Sequence, residues 1–283
     1  MTDPAIISDA RLFTHDAMNT TFSLRIRGCD ETLAGGLASE CFDQLDLLET
    51  HLSRFIEGSD VSRINRLEAG ETLYLSESCH QCLLLALDAC ARTGGLFDIT
   101  LGTRIEHRKS GGGGPVPPLA GRLTIHPDVP AITCEEPGRE IDLGGIGKGF
   151  ALDQLKRVFI DWGADDALLA AGASSLLAIG PGAWPVELTG DRGSLRRSLT
   201  NQALSASGTG IQGSHIVHPA GPDAMPGAPC KRIWVTARTA AEAEIWSTAL
   251  MLLDPGEIPD FIAGEGEIAE VYAERDGMVE VIR

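Results

Sequence analysis

Three stretches of the sequence combine residue types that could bind a phosphorylated ligand or perform acid–base chemistry. The first is IDLGGIGKGF, residues 141–150, in which glycines precede and open a helical pattern. Glycines let the backbone approach a ligand, the first N–H groups of a helix bind phosphate, and Lys148 adds positive charge. The spacing matches neither the dinucleotide-binding fingerprint nor the P-loop. The stretch therefore predicts either a phosphate-binding turn or a tight structural turn.

The second stretch is AEIWSTAL, residues 243–250, in which Glu244 and Thr248 are four residues apart in a helical pattern. This spacing places the carboxylate and the hydroxyl on one helix face. Magnesium prefers such oxygen ligands together with substrate phosphates. The alternative is a solvated Glu244 and a buried Thr248 whose hydroxyl bonds to its own helix.

The third stretch, GSHIVHP at residues 213–219, carries His215 and His218 on either side of a short apolar step. A histidine titrates close to neutral pH, so either residue could act as a general base. An isolated histidine is more often structural, and the sequence alone leaves both interpretations open.

Seven cysteines lie along the chain without the regular spacing of a disulfide framework, which predicts reduced thiols. Cys79 and Cys82 form the one CxxC motif, which is compatible with redox chemistry or zinc binding. No second CxxC or histidine pair follows it, so a structural role is favoured.

The composition excludes several classes of partner. The formal net charge is −17, which repels nucleic acid and anionic membrane surfaces. The N-terminus shows no basic region followed by an apolar run, and no stretch reaches about 18 apolar residues, the length of a membrane-spanning helix. We therefore expect a cytoplasmic protein without an integral membrane segment, and the sequence does not indicate its oligomeric state.

Hydrophobic periodicity predicts helices over residues 33–54, 76–93, 147–163 and 239–253. Short β-like stretches include LTIHP, PAITC, REIDL, DALLAAGASSLLAIG, WPVELTG, SLTNQALSASGTG and KRIWVTAR. A Gly-Pro tract at residues 109–121 predicts a surface loop or a linker. Strands and helices mix without strict alternation, which indicates an α+β fold with layered sheets. The 283 residues could form one domain or two packed lobes.

Taken in order, several motifs resemble those of the ApbE family, the FAD:protein FMN transferases, over most of the chain. The matching segments are AMNT (residues 17–20), SRF to SRIN (53–65), GLFD (95–98) and DLGGIGKGFALD (142–153). The last of these is the most specific. The resemblance implies a single flavin-transferase domain with an ApbE-like, T-fold-like architecture.

The resemblance also implies roles for individual residues. Positions similar to those that hold FAD are Met18, Phe55, Leu96, Phe97, Asp98, Asp142, Lys148 and Ile216. The carbonyl of Gly145 and the side chains of Glu244 and Thr248 resemble the metal ligands, with Mg²⁺ as the expected ion. His215 and Glu244 resemble catalytic positions, and His215 is the expected base.

The implied reaction moves FMN from FAD to a threonine or serine hydroxyl of an acceptor protein and releases AMP. The chain departs from the family at several positions. Glu244 and His218 each replace an aspartate, Ala220 replaces a threonine, Phe55 stands where tyrosine is common, and Gly172-Ala173-Ser174 stands where Gly-Gly-Asp is usual. Two alternatives stay open. One is an FAD pyrophosphatase, in which water takes the place of the acceptor hydroxyl, and the other is a non-catalytic FAD-binding protein, which the altered residues at positions 244, 218 and 220 suggest.

Overall fold

The computed structural model describes residues 10–209, 216–226 and 230–283. The strands in this part of the chain are β1 (Arg11–Ala17), β2 (Thr20–Ile26), β3 (Thr72–Tyr74), β4 (Arg122–Ile125), β5 (Ala131–Glu136), β6 (Ala167–Ala171), β7 (Ser175–Ile179), β8 (Trp184–Thr189), β9 (Ser194–Leu199), β10 (Ala203–Gly208), β11 (Arg232–Ala237), β12 (Ile268–Arg275) and β13 (Met278–Val281). The α-helices are α1 (Glu31–Leu52), α2 (Asp60–Ile64), α3 (Glu77–Arg92), α4 (Gly102–Lys109), α5 (Gly147–Asp161), α6 (Ala240–Leu250) and α7 (Ile258–Phe261), and a short 3-10 helix covers Pro222–Ala224.

Eight strands form the main sheet in the order β1-β2-β6-β7-β10-β11-β12-β13, and every neighbouring pair is antiparallel. The two central strands β6 and β7 read ALLAA and SLLAI, and all their residues are buried. Because successive side chains of a strand point to opposite faces, such continuous apolar runs require that both faces be covered.

Different layers cover the two faces. Leu169 and Leu177 pack with apolar side chains of α1 and α5 on one face. Leu168 and Leu176 pack on the other face, with Trp184 and other side chains of the two-stranded sheet β8-β9. The layers follow one another in the order β8-β9 hairpin, main sheet and helices. This arrangement confirms the layered α+β fold that the sequence predicts.

Local capping chemistry fixes where the helices begin. The Asp30 carboxylate accepts the N–H of Leu33 (2.8 Å) at the start of α1, and the Ser76 hydroxyl accepts the N–H of Cys79 (3.2 Å) at the start of α3. All four predicted helices are confirmed, with ends shifted by up to three residues. The sequence periodicity therefore located the helical layer.

A second sheet, in the order β3-β5-β4, contains two of the predicted strands, LTIHP and PAITC. The predicted strand REIDL, residues 139–143, is wrong, since only a single bridge joins Glu140 to Leu101. The Asn65 amide takes the place of a neighbouring strand: its Oδ1 accepts the N–H of Ile141 (2.7 Å) and its Nδ2 donates to the Ile141 carbonyl (3.0 Å). A side chain thus satisfies the backbone groups that a ladder would otherwise pair.

Residues 110–121 contain neither helix nor strand, which confirms the loop predicted from the Gly-Pro tract. The helix α4, which ends where this loop begins, has the sequence GTRIEHRK and no apolar periodicity. No helix within the described part of the chain is long and apolar enough to span a lipid bilayer.

Candidate functional site

A pocket of about 240 Å³ opens where the start of α5, the middle of α6, the end of β10 and the loop before α4 converge. Nine residues predicted from the sequence line it: Leu96, Phe97, Asp98, Asp142, Gly145, Lys148, Ile216, Glu244 and Thr248. These residues come from four separate segments of the chain. Their convergence makes this pocket the candidate site.

The glycine turn that leads into α5 is closed by Asp142. Its Oδ1 accepts the N–H of Gly144 (2.8 Å), and its Oδ2 accepts a bond from Arg54 Nη1 (2.9 Å). A Cβ on Gly144 would lie 2.8 Å from Asp142 Oδ1, so a larger residue here would displace the Asp142 carboxylate. Arg54 also bonds to Glu140 (3.1 Å), and this arginine was not singled out by the sequence analysis.

Glu244 reaches from α6 to the first turn of α5. One carboxylate oxygen contacts the Lys148 ammonium, and the other accepts the N–H of Gly149 (2.6 Å). The Glu244 side chain is 5% exposed and that of Lys148 is 15% exposed. Glu244 is therefore buried and paired, which contradicts the alternative of a solvated carboxylate. It also satisfies one of the N–H groups that a helix start leaves without an intrahelical partner.

Thr248 lies one turn after Glu244 on α6, and its hydroxyl is 3.3 Å from the Ser207 hydroxyl at the end of β10. A Cβ built on Gly145 would lie 3.5 Å from Thr248 Oγ1, which shows how close the Gly145 backbone comes to this hydroxyl. The hydroxyl thus faces the glycine turn and β10. The sequence analysis missed Ser207, which also lines the pocket.

The pocket residues around Gly145 carry oxygen atoms of the kind that bind Mg²⁺. Glu244, Thr248 and the Gly145 backbone supply hard oxygen donors in one pocket, a combination that suits Mg²⁺ when substrate phosphates complete the shell. Each Glu244 oxygen keeps a second lone pair beyond its bond to Lys148 or Gly149. Among the described residues, no group of three or more His, Cys, Asp or Glu side chains could hold a metal alone. The residues therefore fit an ion that shares its ligands with a phosphorylated substrate.

The turn GLFD supplies another wall of the pocket. Asp98 Oδ1 accepts bonds from the N–H and the hydroxyl of Thr100 (both 2.7 Å), and the Phe97 N–H donates to the Thr93 hydroxyl (3.0 Å). The Phe97 ring approaches the glycine turn, because a Cβ on Gly145 would lie 3.1 Å from its Cε2 atom. Local bonds thus hold the aromatic ring beside the proposed phosphate-binding turn.

Two further cations, Lys109 and Arg232, line the pocket in addition to Lys148. Together with Asp98, Asp142 and Glu244 they give equal numbers of cationic and anionic side chains in the lining. The charge of the pocket is therefore close to balanced, although the whole chain carries −17. An anionic ligand meets less repulsion there than over the rest of the surface.

Met18 and Phe55, two of the residues predicted to contact FAD, lie outside the pocket lining. Met18 and Asn19 have φ values of 51° and 57° and form the turn between β1 and β2, where the Met18 N–H donates to Glu49 (2.9 Å). Left-handed residues at both positions are typical of a tight hairpin turn. Phe55 is 76% exposed, with the Arg54 guanidinium 5.6 Å from its ring centre.

Of the two histidines in the third stretch, only His218 lies within the described residues. His215 lies outside the described residues. His218 Nδ1 accepts the N–H of Ala220 (3.1 Å), and burial lowers the pKa of its imidazole. This bond gives His218 a structural partner within its own turn.

The CxxC motif lies away from the pocket lining. Cys79 and Cys82 are free thiols with no exposed surface, on the first turns of α3. Burial raises the pKa of both thiols, which suppresses the reactive thiolate. The structure favours the structural interpretation of this motif.

Curated relatives of this chain share one name. A curated relative from Klebsiella pneumoniae (strain 342), named "FAD:protein FMN transferase", is 25% identical over 92% of this chain and 83% of its own length. A relative of the same name from Escherichia coli (strain K12) is 24% identical over 88% and 80%.

Solved structures share the fold. The flavinyl transferase ApbE of Pseudomonas stutzeri has a TM-score of 0.81 at 22% identity and covers 96% of this chain and 94% of its own. The flavin transferase ApbE of Vibrio cholerae has a TM-score of 0.79 at 17% identity, with 96% of each chain covered. The family model described as the ApbE family matches residues 18–272. Because this match spans most of the sequence, the chain belongs to the ApbE family.

Proposed function

We propose that this chain is an FAD:protein FMN transferase, which moves FMN from FAD to a threonine or serine hydroxyl of an acceptor protein. The observation that carries the proposal is that Glu244, Thr248, Gly145, Lys148 and Asp142 line one pocket. The names of the curated relatives supply the reaction class. In the reaction, the acceptor oxygen bonds to the FMN phosphorus, the phosphoanhydride bond breaks, and AMP leaves.

The chain's own residues would divide the work of binding and orientation. The first turn of α5 follows the glycine turn directly, and the start of a helix favours negative charge, while the N–H groups of Gly147 and Gly149 are bonded to the Leu143 carbonyl and to Glu244. Lys148, held at the pocket by Glu244, would offer its ammonium to a phosphate oxygen. Asp142 and Arg54 would keep the turn closed around the ligand. Met18 and Phe55, which lie outside the pocket lining, remain proposed contacts with FAD on the basis of the resemblance alone.

Glu244, Thr248 and the Gly145 carbonyl would hold Mg²⁺. The bound ion would supply positive charge where the phosphoanhydride bond separates. His215 is proposed as the base that accepts the hydroxyl proton, and this role rests on the resemblance.

The test is incubation of the protein with FAD, MgCl₂ and a small acceptor domain that carries a flavinylation-type threonine, followed by intact-mass spectrometry and AMP quantification. A mass gain equal to FMN on the acceptor, with one AMP released per label and loss of both in EDTA, is expected. AMP release without labelling in the presence of a cognate acceptor would instead identify a pyrophosphatase. FAD binding without AMP would identify a binding protein, and either result would refute the proposal.

A matched pair of variants tests the metal assignment. Thr248→Val removes the pocket hydroxyl at nearly constant volume, and we expect labelling to fall at least tenfold at fixed MgCl₂, with the midpoint for Mg²⁺ moved to higher concentration. Thr236→Val is the control, because Thr236 is buried on β11 away from the pocket and its hydroxyl makes one long bond (3.4 Å) to the Glu270 carbonyl. Equal Mg²⁺ dependence in both variants would show that the Thr248 hydroxyl is not a ligand.

A further inference from the structure

The short helix α4 presents two side-chain rows to different surroundings. Ile105 and Lys109, four residues apart, line the pocket. Arg104 and Arg108, also four residues apart, donate hydrogen bonds to backbone carbonyls of segments that contain no strand or helix at the bonded residues. Residues at this spacing share a helix face, so one face of α4 lines the pocket and the adjacent face binds the segments that its arginines contact.

Arg104 joins two segments that are distant in sequence. Its Nε donates to the carbonyl of Pro117 in the Gly-Pro loop (3.0 Å), and its Nη1 donates to the carbonyl of Pro219 (2.6 Å). Arg108 Nη1 donates to the carbonyl of Ile216 (2.9 Å). The chain contains 40 Asp and Glu residues, yet both hydrogen-bond partners of Arg104 among the described residues are backbone carbonyls.

Residues 216–226 have few other hydrogen bonds to the fold, and Ile216 packs against the apolar cluster that contains Trp246 and Leu250. They contain no strand, and their internal backbone bonds are short-range, such as the Gly221 N–H to the His218 carbonyl (2.9 Å). Among the described residues, the hydrogen bonds that tie this segment to another element come from Arg104 and Arg108. Ile216 and Val217 of the same segment form part of the pocket wall.

We propose that Arg104 is a positioning residue for the pocket: with Arg108, it clamps residues 216–219 onto α4 and thereby fixes the wall formed by Ile216 and Val217. The inference rests on the proposed function in that the ligand held against this wall is FAD. A guanidinium suits the task because its planar donors are rigidly spaced and can bond two carbonyls together. A lysine ammonium is a point donor on a flexible stem, and it would restore the clamp only in part.

The test compares Arg104→Met and Arg104→Lys with the control Arg122→Met. Arg122 lies on β4 with its side chain 65% exposed, and its guanidinium pairs with Glu135 on the neighbouring strand. Hydrogen exchange of the amides in residues 216–226, the dissociation constant for FAD, and the KM for FAD and kcat of labelling are measured for each protein.

For Arg104→Met we expect faster exchange confined to residues 216–226 and the Gly-Pro loop. We also expect a roughly tenfold rise in the dissociation constant and KM, the loss typical of one charge-assisted bond, with kcat within about threefold of wild type. Arg104→Lys should lie between Arg104→Met and wild type, and Arg122→Met should match wild type. Arg108→Met should speed exchange at residues 216–218 in the same way.

Unchanged exchange in Arg104→Met would overturn the clamp. A lower melting temperature and lower kcat with unchanged FAD affinity would show that Arg104 only stabilises the fold, and would also overturn the proposal. If the wild-type protein does not bind FAD, the proposed function fails, whereas the exchange measurement still decides whether Arg104 holds the segment. The two failures are therefore distinguishable.

Discussion

Replacement of Gly149 by alanine tests the closest helix contact next to the candidate site. A Cβ at this position would lie 2.3 Å from the carbonyl oxygen of Ala240, 2.6 Å from its carbonyl carbon and 2.7 Å from the nitrogen of Ala241. All three atoms belong to the backbone, so no side-chain rotation can relieve the overlap. Ordinary carbon contacts are about 3.5 Å or longer, so α5 and α6 would have to separate by about 1 Å.

That separation would strain the hydrogen bonds that cross the same contact. Asp153 accepts the N–H groups of Ala240 (2.8 Å) and Ala241 (2.9 Å), and Glu244 accepts the Gly149 N–H (2.6 Å). Overpacking costs about 1–3 kcal/mol, and a weakened bond to a charged group adds about 1.5 kcal/mol or more. The higher helix propensity of alanine offsets about 1 kcal/mol of this loss at most. We expect the free energy of unfolding to fall by about 3 kcal/mol.

Urea unfolding followed by circular dichroism in EDTA measures this loss. Gly147→Ala is the matched control in the same Gly-Lys-Gly sequence, because a Cβ there would meet only the Leu143 Cβ, at an ordinary 3.9 Å. We expect this variant to unfold within about 1 kcal/mol of wild type. A Gly149→Ala protein as stable as Gly147→Ala would refute the argument from helix separation.

Three further predictions follow from buried charges and thiols. Arg54→Met leaves the Asp142 carboxylate, 9% exposed, without its guanidinium partner, and should lower the free energy of unfolding by about 3 kcal/mol; a loss below 1 kcal/mol in urea titrations would contradict this. Burial, opposed by two backbone N–H bonds, raises the pKa of Asp153 from 3.8 to about 6, so the native state binds this proton more tightly than the unfolded chain. The stability that the protonated Asp153 contributes is fully present below pH 3.8 and is lost as the pH rises through about 6. Between pH 5 and pH 7 the free energy of unfolding of the wild type should therefore fall by about 1 kcal/mol relative to that of Asp153→Asn. Parallel profiles of stability against pH for the two proteins would disprove the pKa shift. The buried thiols of Cys79 and Cys82 should resist iodoacetamide at pH 8 in the native protein and react in urea, and peptide mapping that finds rapid native labelling would contradict their burial.

The sequence by itself determined the elements whose signals are local. Helical periodicity and the Ser76 cap located the main helices, the Gly-Pro tract predicted a loop, and the ordered motifs indicated the ApbE family, which the family model confirms. The prediction of one domain stays a prediction. Such features depend on side chains a few residues apart, so short-range propensities and capping bonds decide them.

Only the tertiary structure decided which distant groups meet. Lys148 contacts Glu244 across 96 positions, and Arg104 bonds to Pro219 across 115. The failed strand at residues 139–143 has the same origin, because the N–H and carbonyl of Ile141 bond to the side chain of Asn65, 76 positions away. No local pattern encodes such pairs. They form because the burial of the central sheet between two layers fixes the chain path, and that path brings polar groups together which must then satisfy one another.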